Sequence, residues 1–369
     1  MGSIIFAGRV FTGTEVLYDQ TIHCENGRII TIQTGKRDTG QRYAQNISAG
    51  FNDTHINGGK KFYLTKTADA EGIHDIASSC EEFGTAYCIP TLITSPIENI
   101  LKGISATRNY MAENPASGVL GLHLEGPFLN PIKRGAHLPE YIQKPTDALL
   151  KQIIKEGKGV IKLMTIAPEL FSADQVKMLL ESGITISAGH SNATYDQSQA
   201  AFDLGIKVVT HLYNAMSGLN HRNPGLVGAC FVNDNIYAPI ILDGFHCDYS
   251  AAKIAYKIKK DKLFLISDAL FLGERVKEFQ WGNFNASLKD GRYINSENNL
   301  AGATISLADG VRNAVKELGI ELQEAIEMAT IRPSIAMEVE KEIGVIAEGY
   351  PAVFTVFDDG LNSFEVVRL

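Results

Sequence analysis

The stretch Gly121-Leu-His-Leu-Glu-Gly-Pro-Phe-Leu-Asn130 sets one carboxylate, Glu125, where an apolar run breaks into Gly126-Pro127. A carboxylate at the carboxyl end of a strand sits on rigid backbone yet opens onto a pocket, the placement expected of a metal ligand or a catalytic acid. Three later strand-like runs end the same way: Ile184-Thr-Ile-Ser-Ala-Gly-His190, Ile206-Lys-Val-Val-Thr-His211 and Leu263-Phe-Leu-Ile-Ser-Asp268. Glu125, His190, His211 and Asp268 are therefore the expected centre of one site.

From Ala49 onward the chain alternates strand-like and helix-compatible runs. Strands are expected near 50–55, 86–92, 119–125, 159–166, 184–190, 207–211, 238–243 and 263–268, with helices such as Ser172–Glu181 and Ala251–Lys260 between them. Eight such runs in this length predict an α/β fold, a (β/α)8 TIM-like barrel, in which all strand ends named above share one face. Before it, short β-rich runs flank Asn26-Gly27, a strong hairpin signal, and residues 34–48 read as polar loop. After Asp268, Phe271–Asn299 is poorly patterned around an Asp290-Gly291 turn, Ile305–Leu318 and Leu322–Thr330 look helical, and Ile343–Val356 returns to short β-runs. The expected division is 1–48 and 336–369 as the two parts of a discontinuous β-sandwich domain, with the barrel, 49–335, inserted between them.

The 369 residues carry 45% hydrophobic side chains, enough for a large core, and a formal charge of -8, which argues against nucleic-acid or anionic-membrane partners. No run approaches the roughly 20 apolar residues of a membrane span. Five cysteines, odd in number and without C-x-x-C spacing, predict reduced thiols in a cytoplasmic protein. G-x-S-x-G, P-loop and G-x-G-x-x-G motifs are absent, so serine-hydrolase, nucleotide-phosphate and dinucleotide readings lack their motif.

Two imidazoles and one carboxylate from separate strands make a three-ligand site with a position open for water. Zn2+ or Fe2+ held there would lower the pKa of bound water towards ~7 and polarise a carbonyl. Asp268 beside it is the expected proton carrier. His123 shares its strand face with Glu125 and reads as a core or supporting residue.

Gly121–Asn130, Ser187-Ala-Gly-His-Ser-Asn-Ala-Thr194, Thr210-His-Leu-Tyr-Asn-Ala-Met216, Asp243-Gly-Phe-His246 and Leu300-Ala-Gly302 together closely resemble the N-acetylglucosamine-6-phosphate deacetylases of the amidohydrolase superfamily. The resemblance runs from about residue 49 to the C-terminus. It implies a metal-dependent barrel that removes acetate from an N-acetylated amino-sugar 6-phosphate. It carries Glu125, His190 and His211 over as metal ligands and Asp268 as catalytic acid/base. Ala136, His137, Asn214, Ala215, Arg222, His246, Leu300, Ala301 and Gly302 match substrate-contacting positions, with His137 also expected to stabilise the oxyanion and Arg222 to reach a neighbouring subunit's site in a homodimer.

Many members of the superfamily open the first barrel strand with His-x-His and hold a second metal. This chain has His55-Ile-Asn57, so one divalent ion, Zn2+ in first place, is expected. Ala269–Gly273 departs from the Thr/Pro-containing loop of relatives and bears on sugar preference. The alternatives are an N-acetylgalactosamine-6-phosphate deacetylase, another amide hydrolase of the superfamily, or a non-catalytic scaffold; the last is disfavoured because all three ligands and Asp268 are present.

Overall fold

The computed structural model describes residues 2–38 and 41–369. The chain opens on β1 (Ser3–Phe11), β2 (Val16–Glu25), β3 (Arg28–Thr34) and β4 (Arg42–Ala49). Asn26 and Gly27, with φ of 50° and 74°, turn β2 into β3 as an Asn-Gly hairpin requires. The expected loop over 34–48 holds for 35–38, lies outside the described residues at 39–40, and is corrected from Arg42 onward by β4. Its buried positions are Ala44 and the run Asn46–Ala49, so small and polar side chains fill the core face and the hydrophobic alternation that marks a strand is muted. Asn46 is satisfied there by donating to the Phe357 carbonyl at 3.1 Å.

Eight parallel strands follow: β5 (Phe51–Ile56), β6 (Thr85–Ile93), β7 (Leu122–Glu125), β8 (Ile161–Ile166), β9 (Thr185–Ala188), β10 (Val208–Val209), β11 (Ala238–Ile240) and β12 (Leu263–Leu265). β5 to β10 pair in sequence order and β11 pairs with β12. Single parallel bridges, Val208 to Tyr237 and Ile56 to Ala269, join the two sets into a ring. Helices separate consecutive strands, and side-chain caps start several of them. Ser172 accepts from the Gln175 N–H while the Gln175 side chain returns a bond, fixing the start of the Ala173–Glu181 helix; Thr194 and Gln197 repeat the device at Tyr195–Asp203. The barrel expected from the eight runs is therefore present.

Inside the ring, one layer below the strand ends, His123 meets Thr91 Oγ1 at 3.1 Å and Thr165 Oγ1 at 2.9 Å. Thr165 meets Thr210 at 2.8 Å, and Thr210 meets Ser187 at 2.6 Å. This buried polar chain links five strand positions and gives the face above it a firm floor. His123 is thus the interior, supporting residue that its strand position suggested.

Phe271–Asn299, unpatterned in sequence, holds a three-stranded antiparallel sheet of β13 (Glu278–Trp281), β14 (Phe284–Lys289) and β15 (Arg292–Ile294), with Asp290-Gly291 as the expected turn. It packs beside the pocket through Tyr63, whose ring stacks on Phe284 at 5.8 Å. The chain ends in β16 (Val353–Phe357) and β17 (Phe364–Arg368). Residues 343–352 of the expected C-terminal β-stretch run outside any strand. β16 pairs with β4, so both ends of the chain share one continuous six-stranded sheet over a core that includes Ile5, Ile22, Ile47 and Phe354. Among the described residues no helix is long and apolar enough to cross a membrane.

Candidate active site

Glu125 is the last residue of β7 and only 3% exposed. His190, His211 and Asp268 follow the ends of β9, β10 and β12, and their φ angles of 46°, 32° and 47° lie in the left-handed region. That conformation is disfavoured for side chains with a Cβ and persists where the surroundings enforce it. It turns three chemically active side chains toward one point.

The His190 Nε2 atom lies 3.0 Å from Glu125 Oε1, His211 Nε2 lies 3.1 Å from the same oxygen, and the two nitrogens are 3.1 Å apart. Lys133 O accepts from His190 Nδ1 at 2.9 Å, which fixes that tautomer and points a lone pair inward from Nε2. Three donor atoms at these spacings reach a common ion at about 2.0–2.2 Å, so the residues fit a divalent metal held by two nitrogens and one oxygen. His137 stands just outside, its Nε2 3.6 Å from Glu125 Oε2 and its Nδ1 2.9 Å from Thr94 Oγ1.

On the other side of Glu125, His55 Nε2 lies 3.4 Å from Glu125 Oε2 and 3.1 Å from Asp268 Oδ1. Asn57 Nδ2 donates to the same Asp268 oxygen at 2.7 Å. Burial works against charge here, but the facing partners prevail. It would push the Glu125 carboxyl up, yet the His55 charge and the surrounding imidazoles of His137, His190 and His211 hold it well below the usual carboxylate range. Asp268 is held below its ordinary value against burial, mainly by the His55 charge. His55 is raised well above the ordinary imidazole value by Asp268 and Glu125 despite burial. Asp53 is buried and accepts from the His55 and Ser267 N–H groups, both at 3.2 Å; burial pushes its carboxyl up to about 6.

These groups open onto a cavity of about 550 Å³, a size typical of small-molecule sites. Ala136, His137, Asn214, Ala215, His246, Leu300, Ala301 and Gly302 all line it, as their motifs suggested. Arg222 does not: it is exposed on a tight turn between Asn220 and Asn223, outside the cavity of its own chain. His246 Nδ1 lies 2.6 Å from Asp243 Oδ2; burial opposes its charge, but that partner raises its pKa above 6.5. Tyr63, Lys133 and Arg134 line the cavity too and carried no sequence signal. Arg134 donates to the His137 carbonyl at 3.0 Å and to Glu297 at 2.6 Å, tying the loop of His137 to the loop that leads into Leu300. Only the fold brings those two segments together.

A closed parallel barrel whose strand ends gather imidazoles and carboxylates around one water-accessible point is the architecture of a metal-dependent barrel hydrolase. The Amidohydrolase family model matches residues 46–368, and the chain belongs to that family. It is 34% identical to the N-acetylglucosamine-6-phosphate deacetylase of Haemophilus influenzae, over 94% of this chain and 93% of that one. It is 36% identical to the N-acetylgalactosamine-6-phosphate deacetylase of a Shewanella species, over 85% and 79% respectively. The crystal structure of the Pasteurella multocida N-acetylglucosamine-6-phosphate deacetylase is similar to it with a TM-score of 0.92 at 31% identity, covering 98% of this chain and 97% of that one. The Mycobacterium smegmatis deacetylase, solved as an aspartate-to-alanine mutant with N-acetyl-D-glucosamine-6-phosphate, also reaches 0.92, at 26% identity and 100% and 98% coverage.

Proposed function

We propose that this chain is a metal-dependent deacetylase that hydrolyses N-acetyl-D-glucosamine 6-phosphate to acetate and D-glucosamine 6-phosphate. The observation that carries this reading is the convergence of Glu125, His190, His211 and Asp268 in the cavity that also contains Asn214, Ala215 and His246. Its support is strengthened by similarity, over nearly the whole chain, to deacetylases of two amino-sugar phosphates. The galactosamine epimer is the second reading, favoured by the Shewanella relative.

One Zn2+ per chain is the proposed ion, with Fe2+ the alternative for the same donor set. Asn57 in place of a second histidine supports a single ion. When bound, the ion supplies Lewis-acid polarisation of the acetamide and acidifies the attacking water. Asp268 takes the proton from that water as its oxygen bonds to the acetamide carbon. It then passes the proton to the sugar nitrogen, so the C–N bond breaks to give the amine and acetic acid, and transfer of the acid's remaining proton to the amine leaves acetate and an ammonium group. The His137 ring, with Nε2 facing the cavity, would donate to the acetamide oxygen as negative charge develops there, a contribution of roughly 2.7–4 kcal/mol in comparable sites.

The 6-phosphate is assigned to the backbone N–H of Ala215 and to His246, with Arg222 reaching over from a second copy of the chain; the Asn214 N–H is engaged by the His211 carbonyl at 2.9 Å, so Asn214 lines the site without giving its backbone donor. Exposure of Arg222 on a short turn fits that role, and the proposed working unit is a homodimer. A cytoplasmic location is supported by five free, buried cysteines.

Measuring acetate release from both amino-sugar 6-phosphates and from bare N-acetylglucosamine tests the assignment. The bare sugar should show kcat/KM lower by about 10- to 100-fold, the equivalent of about 1.5–3 kcal/mol for a lost charge-assisted contact. Arg222→Ala should mostly raise KM for the phosphorylated sugar. Equal kcat/KM for phosphorylated and bare sugar would defeat the phosphate assignment, and an active monomer in sedimentation would defeat the shared site.

The pH dependence of KM follows from His246. Asp243 raises its pKa above the ordinary imidazole value against burial, so the proton is held on the acid side and lost as pH rises through the raised value. KM for the phosphorylated sugar should be lowest on the acid side and climb as pH rises through the raised pKa of His246. In Asp243→Asn the climb should begin at lower pH. A KM profile identical in parent and variant would remove His246 from the phosphate site.

A further inference from the structure

Glu169 sits on the short Pro168–Leu170 turn beyond β8, away from the cavity, and nothing in its local sequence marks it. Its carboxylate accepts three bonds. Oε1 takes one from Asn130 Nδ2 at 2.9 Å and one from the Asn192 N–H at 2.7 Å; Oε2 takes one from Ser191 Oγ at 2.7 Å. The donors come from two loops, the one that follows Glu125 and the one that follows His190.

Asn130 continues the linkage. Its N–H donates to the His190 carbonyl at 2.9 Å, its Oδ1 accepts from Ile132 N–H at 3.0 Å, and its carbonyl accepts from Lys133 N–H at 2.9 Å. The tight turn so formed presents the Lys133 carbonyl to His190 Nδ1 at 2.9 Å. The ring closes on itself: Glu169 fixes Asn130 and Ser191, Asn130 fixes Lys133, and Lys133 fixes the imidazole. His190 is held at its backbone and at its outer nitrogen by one assembly anchored on one carboxylate. Its left-handed φ of 46° is a conformation that needs such an anchor.

We infer that Glu169 is a positioning residue for the metal centre, acting through Asn130 and Lys133 to set the orientation and tautomer of His190. The inference rests on the reading of Glu125, His190 and His211 as metal ligands. Loss of outer partners of this kind weakens metal binding by about 10- to 100-fold. A glutamine at this position keeps the shape and can hold Asn130 and Asn192 with its oxygen, but its NH2 then meets Ser191 Oγ, whose hydroxyl loses its charged acceptor, and the negative charge that anchors all three donors is gone.

The test is a Zn2+ titration of metal-stripped parent, Glu169→Gln and Ser191→Ala, with Co2+ absorption as a report of ligand geometry and thermal unfolding of the stripped proteins as a control. Glu169→Gln should raise the Zn2+ dissociation constant by about 10- to 100-fold, alter the Co2+ spectrum, leave the metal-free Tm close to the parent's, and recover most of kcat at saturating Zn2+. Ser191→Ala, which removes one of the three donors, should move the constant in the same direction by less, and it serves if Glu169→Gln fails to fold. An unchanged Zn2+ constant and Co2+ spectrum overturn the inference while leaving the metal centre in place. A weakened constant matched by a collapse of the metal-free Tm in both variants also overturns it, because the residue would then be holding the fold. If the parent binds no divalent ion, the centre itself is refuted and the positioning role with it.

Discussion

Replacing Asp268 by asparagine is expected to leave the chain folded and metal-loaded while lowering turnover by at least about 10²-fold, the lower end of general acid–base contributions. The two oxygens of this carboxylate are not equivalent. Oδ1 receives Asn57 Nδ2 at 2.7 Å and faces His55 Nε2 at 3.1 Å, so it is held by one donor and by the neighbouring imidazole. The second oxygen is the one available to take a proton from water. Asparagine can keep its carbonyl against Asn57 and His55, which preserves the packing, but it then puts an NH2 where the proton must be accepted. His55 also loses half of its anionic surroundings, so its pKa should fall toward the ordinary imidazole value. The measurement is kcat of Asp268→Asn with metal content determined on the same sample. Near-normal turnover in a metal-loaded variant would sink the role assigned to Asp268.

What could be read from the sequence divides along a physical line. Glu125, His190, His211 and Asp268 were legible because each stands at the end of its own apolar run, and a parallel barrel sends all such ends to one face. Ala136, Asn214, His246 and Leu300 were carried by motif resemblance and do line the cavity. Arg222 carried the same kind of signal, yet it lies outside its own chain's cavity, because a motif records a residue's identity and not its distance from the pocket.

Other features depend on contacts between distant segments. Arg134 pairs with Glu297 and Glu169 with Asn130, Ser191 and Asn192, and neither glutamate has a local pattern to announce it. β4 escaped notice for a different reason: Ala44, Asn46 and Ser48 are buried, and burial of small or polar side chains gives no hydrophobic period. β13 to β15 alternate more clearly in hindsight, with Phe284 and Ala286 buried on one face of β14, but the strands are short and Gly282 and Gly291 interrupt them.

Glu125→Ala is expected to abolish metal binding and lower turnover by at least about 10³-fold, since Lewis-acid stabilisation is worth several kcal/mol and each ~1.4 kcal/mol is tenfold in rate. Among the described residues Glu125 is the one carboxylate within 3.0–3.1 Å of both His190 and His211, and its other oxygen faces His55 and His137. Its removal leaves four imidazoles around a hole without the negative charge that draws a divalent ion. Glu125→Gln fills the hole and still removes the charge, so equal metal loss in both variants would locate the effect in electrostatics instead of packing. Elemental analysis of the untreated proteins reads the result, and a full equivalent of metal in either variant would overturn the ligand assignment. The third ligand is settled by a companion pair. Donor atoms of Glu125, His137 and His190 also lie within 4.8 Å of one another, a looser triangle than the one completed by His211. His211→Ala should therefore strip the ion, while His137→Ala should retain it and lose kcat through the missing oxyanion donor. Metal loss from His137→Ala with retention in His211→Ala would exchange the two roles.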